Sequence, residues 1–527
     1  MLHSNHLKRN NDMKINKIFM MAAVLASGMT LASCGDAFLE SLPTEQLADG
    51  GTATESSINS GLAATYQILL FDSYANNNYE AIPVVADVQS DDCYKGGGDA
   101  GDQLQLYNIS LFQADALHTL VGSWNIYTSG FARANSVINA CANIENKTDK
   151  IRQYNAEAHF LRAYYVYMLW KYFGSIPFFT EPLTPSTNYM APQLSPDEVY
   201  AQIISDVTVA CEDGVLPMYN NSGADAGRVN RAAALMLKAR AVMYQKDASK
   251  YQEVANDLAT IINSGDYSLM TDYEAIWDND GEFCRESIFE SNQMGEGKTW
   301  ASGWQGYGTN LPAFISPNDL KDATGTYNGG WGFCPARTST YEMYADGDTR
   351  RDASVIDYRT VGAYGTRFQD TGYFFKKYTA RNGYRKSSGD LDLNYCNNLR
   401  IFRYAETLLN YAELVLMDGV AEQQGVSARD CFNQVRRRAF GDNNHDIANP
   451  TAQEIKDEYH YEFVGEGHRY YDLVRWGDAA KVLTENDEKH NSVRTWNDYN
   501  KYLPIPQSEI DRTMGTEYAL KQNPGYK

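Results

Sequence analysis

The 527-residue sequence is short of several things, and each shortage closes a class of function. Long apolar runs are missing apart from Ile18 to Ala32. As a helix that run would span roughly 22 Å, less than the ~30 Å hydrocarbon core, so a permanent membrane span is not expected. Histidine is scarce, at eight residues, and none falls in an H-E-x-x-H or similar array. His118, His159 and His468 are therefore expected in core or surface roles rather than on a metal. No C-x-x-C occurs, and the seven cysteines after Cys34 (93, 141, 211, 284, 334, 396 and 431) are odd in number and widely spaced. Neither a disulfide framework nor a zinc site is indicated; buried thiols, with one or two bridges at most, are. Positive charge is also in deficit, with 46 Lys and Arg against 67 Asp and Glu and a formal charge of −21. Residues 1–33 carry Lys8, Arg9, Lys14 and Lys17 against Asp12, so without them the balance is about −24. Such a surface repels nucleic acid and anionic lipid, and favours neutral or cationic ligands or a large partner.

What is present begins with the leader. Lys14 and Lys17 precede the apolar run, just after Met13, and small residues follow it. That is the layout of a secretory signal, with Met13 as the expected start. The run ends in Leu31-Ala32-Ser33-Cys34, which resembles a bacterial lipobox. The resemblance implies cleavage before Cys34 and acylation of that residue. More than one acyl chain anchors stably, because each buried methylene contributes ~0.8 kcal/mol. The alternative is an ordinary secretory signal with an accidental cysteine.

Helical periodicity fills two blocks. Leu161, Tyr165, Met168, Leu169 and Tyr172 fall on one helix face. Ser195, Pro196 and Glu198 make a capped helix start, and Gly265 sits where a helix C-terminus wants it. Between them, Ala234, Leu237, Ala241 and Tyr244, then Val254, Leu258, Ile261 and Ile262, line the faces of a helix pair. The alternation of small Ala with large Tyr and Leu resembles degenerate tetratricopeptide pairs, with a generic helical bundle as the alternative. A second helical block is predicted from about 399 to 477, with Thr451 and Glu454 as a capping box. Between the blocks, 266–398 is rich in Gly, Tyr, Trp, Asn and Asp, with short β-like pieces such as "ESIFES" and "GYFFKKY". The expected fold is mainly α: a tetratricopeptide-like helical-repeat scaffold with a loop-rich insertion containing short strands. Its expected parts are a signal peptide (1–33), a lipid-anchored linker (34–50), an N-terminal helical part (51–265), the insertion (266–398), and a C-terminal helical part with an extended tail (399–527).

Several stretches together carry a family pattern: "CGDAFLESLPTE", "FRYAETLLNYAEL", "CFNQVRRRAF", "EFVGEGHRYYDLVRWG", "YLPIPQSEI" and "QNPGY". The chain resembles the SusD/RagB family of Bacteroidetes outer-membrane lipoproteins. One departure stands out. The family often has a basic pair after the glutamate of the last of these helices, where Glu458 is followed here by Tyr459 and His460. The resemblance implies nutrient capture at the cell surface, usually of glycans, on the outer membrane. It implies a SusC-like TonB-dependent outer-membrane transporter as partner, and no cofactor.

Glycans offer apolar C–H faces ringed by hydroxyls, so a site for them wants aromatic platforms and hydrogen-bonding side chains. The segment 295–333 supplies Trp300, Trp304, Tyr307, Tyr327 and Trp331, three of the chain's eight tryptophans, amid glycines. It is read as a binding surface; the alternative is tryptophans that pin the insertion to the scaffold. The loop 90–102, "SDDCYKGGGDAGD", is a second candidate, with Tyr94 to stack, Asp92 to accept and Lys95 to donate. Its three consecutive glycines imply mobility; the alternative is a solvated acidic turn. "NQMGEGKT" lacks the first glycine of a phosphate loop, having Asn292 there, and "DNDGEF" lacks the closing glutamate of a calcium loop, having Phe289 there. Glu466, Arg469, Asp472 and Arg475 recur at i, i+3 and predict a helical ion-pair ladder. Carboxylates on consecutive helix turns do not face each other across a cleft, so glycoside hydrolysis is disfavoured and no catalytic residue is assigned. The rival to a binding role is a structural lipoprotein whose helices only hold a transporter complex together.

Overall fold

A computed structural model describes residues 53–73, 79–181, 183, 189–301, 308–385 and 388–526. The leader, Cys34, Trp304 and Tyr307 lie outside the described residues. The chain is mainly α, as its periodicity predicts. The first helical block holds α1 (Glu55–Tyr66), α2 (Val121–Ala142), α3 (Asp149–Phe173), α4 (Pro196–Ala210), α5 (Arg231–Gln245) and α6 (Tyr251–Ser264). Each helix packs on the next, α2 on α3, α3 on α4, α4 on α5 and α5 on α6. Small residues set the close approaches. A Cβ on Gly130 of α2 would stand 2.6 Å from the Tyr165 ring of α3, so only glycine lets these helices meet. On α5, Ala232, Ala233, Ala234, Ala239 and Ala241 are all fully buried. The starts and stops follow local chemistry. Ser195 and Glu198 close a capping box on α4, and Gly265 ends α6 in the left-handed region at φ 71°.

The chain then leaves the stack. Paired short strands follow: β1 (Ser287–Ser291), β2 (Asn318–Asp322), β3 (Val355–Asp357), β4 (Gly362–Gly365), β5 (Tyr373–Phe375) and β6 (Leu399–Arg403). All pairs are antiparallel: β1 with β6, β2 with β4, β3 with β5. The helical stack resumes at α7 (Tyr404–Leu416), which packs against α6, so 265–403 is an excursion whose two ends meet. α8 (Ala428–Phe440), α9 (Ala452–Phe463) and α10 (Arg469–Trp476) complete it, with Thr451 and Glu454 capping α9 as expected. The hairpin of β7 (Glu485–Asp487) and β8 (Ser492–Arg494) precedes an irregular tail. Among the described residues no helix is long and apolar enough to cross a membrane, and Cys93, Cys141, Cys211, Cys284, Cys334 and Cys431 are free thiols.

Two expectations are corrected. The second helical block does not begin at 399: Leu399–Arg403 is a strand, paired with β1 and buried at every position. Nor do Glu466, Arg469, Asp472 and Arg475 form a ladder. Gly465 and Gly467 sit at φ 75° and 78°, which breaks the helix, and α10 starts only at Arg469. Glu466 instead binds Lys377 and Arg403, Arg469 binds Asp91, and Arg475 binds Glu413 as well as Asp472. These residues are structural, but they work across the fold rather than along one helix.

Candidate functional site

The two glycine-rich segments picked out in the sequence meet in space. Residues 93–97 run antiparallel to 332–336, with Cys93 opposite Ala336 and Gly96 opposite Phe333. The Gly97 N–H donates to the Gly332 carbonyl at 2.9 Å, and the Cys334 N–H donates to the Lys95 carbonyl at 3.0 Å. The glycines serve contact rather than mobility. A Cβ on Gly97 would lie 2.5 Å from Cε1 of Phe333.

From Phe333 an aromatic series rises to the surface. Phe333 stacks on Phe314 with centroids 4.0 Å apart, and Phe314 stacks on Tyr79 at 5.4 Å. Tyr79 and Phe314 both meet Trp331 edge-on, at 5.6 and 6.0 Å. Trp300 lies over Trp331 at 5.8 Å, tilted by 31°, and is 53% exposed. A half-exposed tryptophan held by a layered aromatic support offers a ring face at little ordering cost. Polar groups fix and rim the layer. Trp331 Nε1 donates to Asp392 Oδ2 at 3.2 Å, and Arg385 Nη1 donates to Asp392 Oδ1 at 2.9 Å. The Trp300 N–H donates to Asp390 Oδ2 at 2.8 Å, and Arg367 donates to the Trp331 carbonyl at 3.2 Å. Burial, with a lesser contribution from Asp102, raises the pKa of Tyr79, so its hydroxyl stays protonated.

Sequence reasoning named Trp300 and Trp331 and missed Tyr79, Phe314, Arg367, Arg385, Asp390 and Asp392. Tyr79 follows an asparagine run far from the Trp- and Gly-rich segment, with no periodic pattern to signal it. Tyr327 lies elsewhere, lining a depression of about 520 Å³ with Lys321, Asp322, Asn328 and Asn382. The residues chosen in 90–102 are placed inside the fold, and their expected exposure is corrected. Asp92 and Lys95 are fully buried. Lys95 Nζ donates to the carbonyls of Asp99 and Asp102, at 2.6 and 2.5 Å, which closes the loop on itself. Tyr94 stacks on His490 at 4.7 Å, with the Arg337 guanidinium 4.3 Å from its ring centroid, and donates to Asp487 at 2.5 Å. A cavity inside the helical stack, lined by Lys171, Arg240, Glu406 and His468, measures about 70 Å³. That is room for a few waters and too little for a sugar ring.

The SusD family matches residues 273–526. A second family, described as starch-binding associating with outer membrane, matches residues 11–243. Surface glycan-binding protein A from Bacteroides fluxus is 64% identical, covers 90% of this chain and 100% of its own, and superposes with a TM-score of 0.87. Surface glycan-binding protein A from Bacteroides thetaiotaomicron, solved in complex with laminarihexaose, is 36% identical over 89% of this chain and 99% of its own, with a TM-score of 0.82. The starch-binding protein SusD of the same organism is 27% identical over 73% of this chain and 75% of its own.

Proposed function

Because the chain belongs to the SusD/RagB family, we propose that it is a non-catalytic glycan-binding protein of the outer-membrane surface, and that the Trp300–Trp331 face holds the sugar. The carrying observation is the exposed Trp300 ring lying on the half-buried Trp331, itself backed by buried Phe314, beside Asp390, Asp392 and Arg385. A pyranose laid on the indole keeps its equatorial hydroxyls at the rim, where carboxylates accept and guanidinium groups donate. The relative solved with laminarihexaose makes β-1,3-linked glucose oligomers the first ligand class to test.

The same geometry supports the non-catalytic reading of this face. Asp390 and Asp392 lie two residues apart on one segment, and each is already bonded by its neighbours. A glycosidase needs two carboxyl groups facing each other across the scissile bond. Acylation at Cys34 would tether the chain to the membrane, and the captured oligosaccharide would pass to a SusC-like TonB-dependent transporter.

The test is calorimetric titration of laminarihexaose into the parent and into Trp300→Ala. Covering about 80 Å² of one indole face at ~25 cal/mol/Å² contributes roughly 2 kcal/mol, so the expected loss is about 30-fold in Kd. A parent that binds and a variant that binds equally well would remove this face from the site. Copurification of the parent with the transporter, without binding to any glycan, would instead support a purely structural lipoprotein.

A further inference from the structure

Asp91 and Asp92, near the start of the described chain, stand opposite His460 on α9. Each of the three offers one ligand atom, and these atoms lie within 4.8 Å of one another. Asp92 is fully buried, yet its Oδ2 has no hydrogen-bond donor. Its other groups are committed. Oδ1 lies 2.6 Å from His460 Nε2, and the backbone carbonyl accepts from Thr340 Oγ1 at 2.9 Å and the Arg337 N–H at 2.8 Å. A buried carboxylate oxygen left without a donor is costly unless something completes it.

We propose that Asp91, Asp92 and His460 form a binding site for a divalent transition ion of the zinc or manganese class. Two carboxylates and one imidazole make a mixed oxygen and nitrogen donor set, which suits such ions. Calcium would want six or more oxygens, and magnesium would want a mostly hydrated octahedral shell. An ion with bonds of about 2.0–2.2 Å places its ligand atoms roughly 3–3.5 Å apart, so the side chains close on it by an ångström or so. The site is reachable: the Asp91 side chain is 26% exposed and that of His460 is 14% exposed, so water can fill the remaining coordination positions.

The surroundings allow it. Arg469 donates to both oxygens of Asp91, at 2.8 and 3.0 Å, and so fixes that carboxylate. Each carboxylate oxygen keeps a second lone pair for an ion. Binding takes the neutral imidazole, so the ion replaces any proton on Nε2 and displaces the His460–Asp92 hydrogen bond, and the bare Oδ2 joins Oδ1 in holding it. The consequence is a clamp. The ion would join the segment that leads into residues 93–97, under the aromatic face, to α9 of the C-terminal helices.

The inference is independent of the glycan reading and is tested on the full mature chain. The protein is stripped with a chelator, dialysed against Zn²⁺, Mn²⁺, Ca²⁺ or Mg²⁺ in turn, and assayed for bound metal by elemental analysis and for its melting temperature. The expected result is one Zn²⁺ or Mn²⁺ per chain and a Tm raised by at least about 3 °C at saturating ion. His460→Ala is expected to lose the bound metal and the Tm increment. His460→Arg, which puts a permanent donor against Asp92, is expected to fold and to lose both as well. A parent that retains only Ca²⁺ or no ion at all, or folded His460 variants that hold metal as the parent does, would overturn the proposal.

Discussion

Arg403 is the residue whose loss should be felt most widely. It ends β6, is 1% exposed at its side chain, and reaches three carboxylates at once. Its Nη1 donates to Glu286 at 2.6 Å and to Glu462 at 3.0 Å, and its Nε and Nη2 grip both oxygens of Glu466 at 2.8 Å. Arg403→Met keeps much of the volume and removes the charge. Glu462 would keep Arg438 and Arg350, and Glu286 would keep Arg438, but Glu466 would keep only Lys377. Removing one partner of a buried ion pair costs about 3–5 kcal/mol, because the charge left behind stays desolvated. At roughly 2.1 cal/mol/K per residue, a unit of about 475 residues has an unfolding entropy near 1 kcal/mol/K, so the melting point should fall by about 3–5 °C. If only a part of the chain melts cooperatively, the drop is larger. Arg152→Met, at an exposed i, i+3 pair with Asp149, is the control and should move Tm by less than about 1 °C. Scanning calorimetry reads both. An Arg403→Met melt that coincides with the parent's would refute the claim that this buried network joins the strand-rich excursion to the C-terminal helices.

The same network makes a prediction in acid. Burial pushes the Glu462 carboxyl up, but Arg438, Arg403 and Arg350 together outweigh it and hold its pKa down to about 2. The unfolded chain takes up that proton first, near pH 4.5, so this stability is present above pH 4.5 and is lost as pH falls toward 2. Tm measured against pH should drop through that window, and Glu462→Gln, less stable at pH 7, should show a shallower drop. Gly97→Ala places a Cβ against the Phe333 ring at a backbone φ of +77°. It should lower Tm and weaken laminarihexaose binding together, read by melting and calorimetry, because Phe333 supports Phe314 beneath Trp331.

Much of the scaffold was legible because its signals are local. Ser195 with Glu198, Thr451 with Glu454, and Gly265 each mark a helix end within four residues, and the apolar stripes of α3 and α5 repeat at helical spacing. The strand Leu399–Arg403 was not legible. It is buried on both faces, so it shows no alternation, and it runs straight into α7 without a turn residue. The ladder through 466–475 failed because spacing was read across Gly465 and Gly467, whose positive φ values end the periodicity. Of the proposed site, the density of Trp and Gly in 295–333 singled out Trp300 and Trp331, whose rings do lie together. Their partners were hidden because Tyr79 and Asp392 come from segments far away in the chain.

What the sequence hides is also what makes the face rigid. Segment 90–97 is held by contacts that each cross most of the chain: Asp91 to Arg469, Asp92 to His460, and Tyr94 to Asp487. Residues 332–336, paired to it, carry Phe333 under the aromatic series, and Arg337, the next residue, is clamped by Glu485 on β7. Both ends of the excursion return to the helical stack, through α6 and α7. A loop-borne ring face would ordinarily spend binding energy on becoming ordered. On the reading proposed above, that ordering would be met by folding, since the residues beneath Trp331 are already fixed by buried charge and close-packed rings. Changes beneath the rings, at Gly97 or Phe333, should therefore weaken binding as surely as changes to the exposed indole, although no sugar touches them.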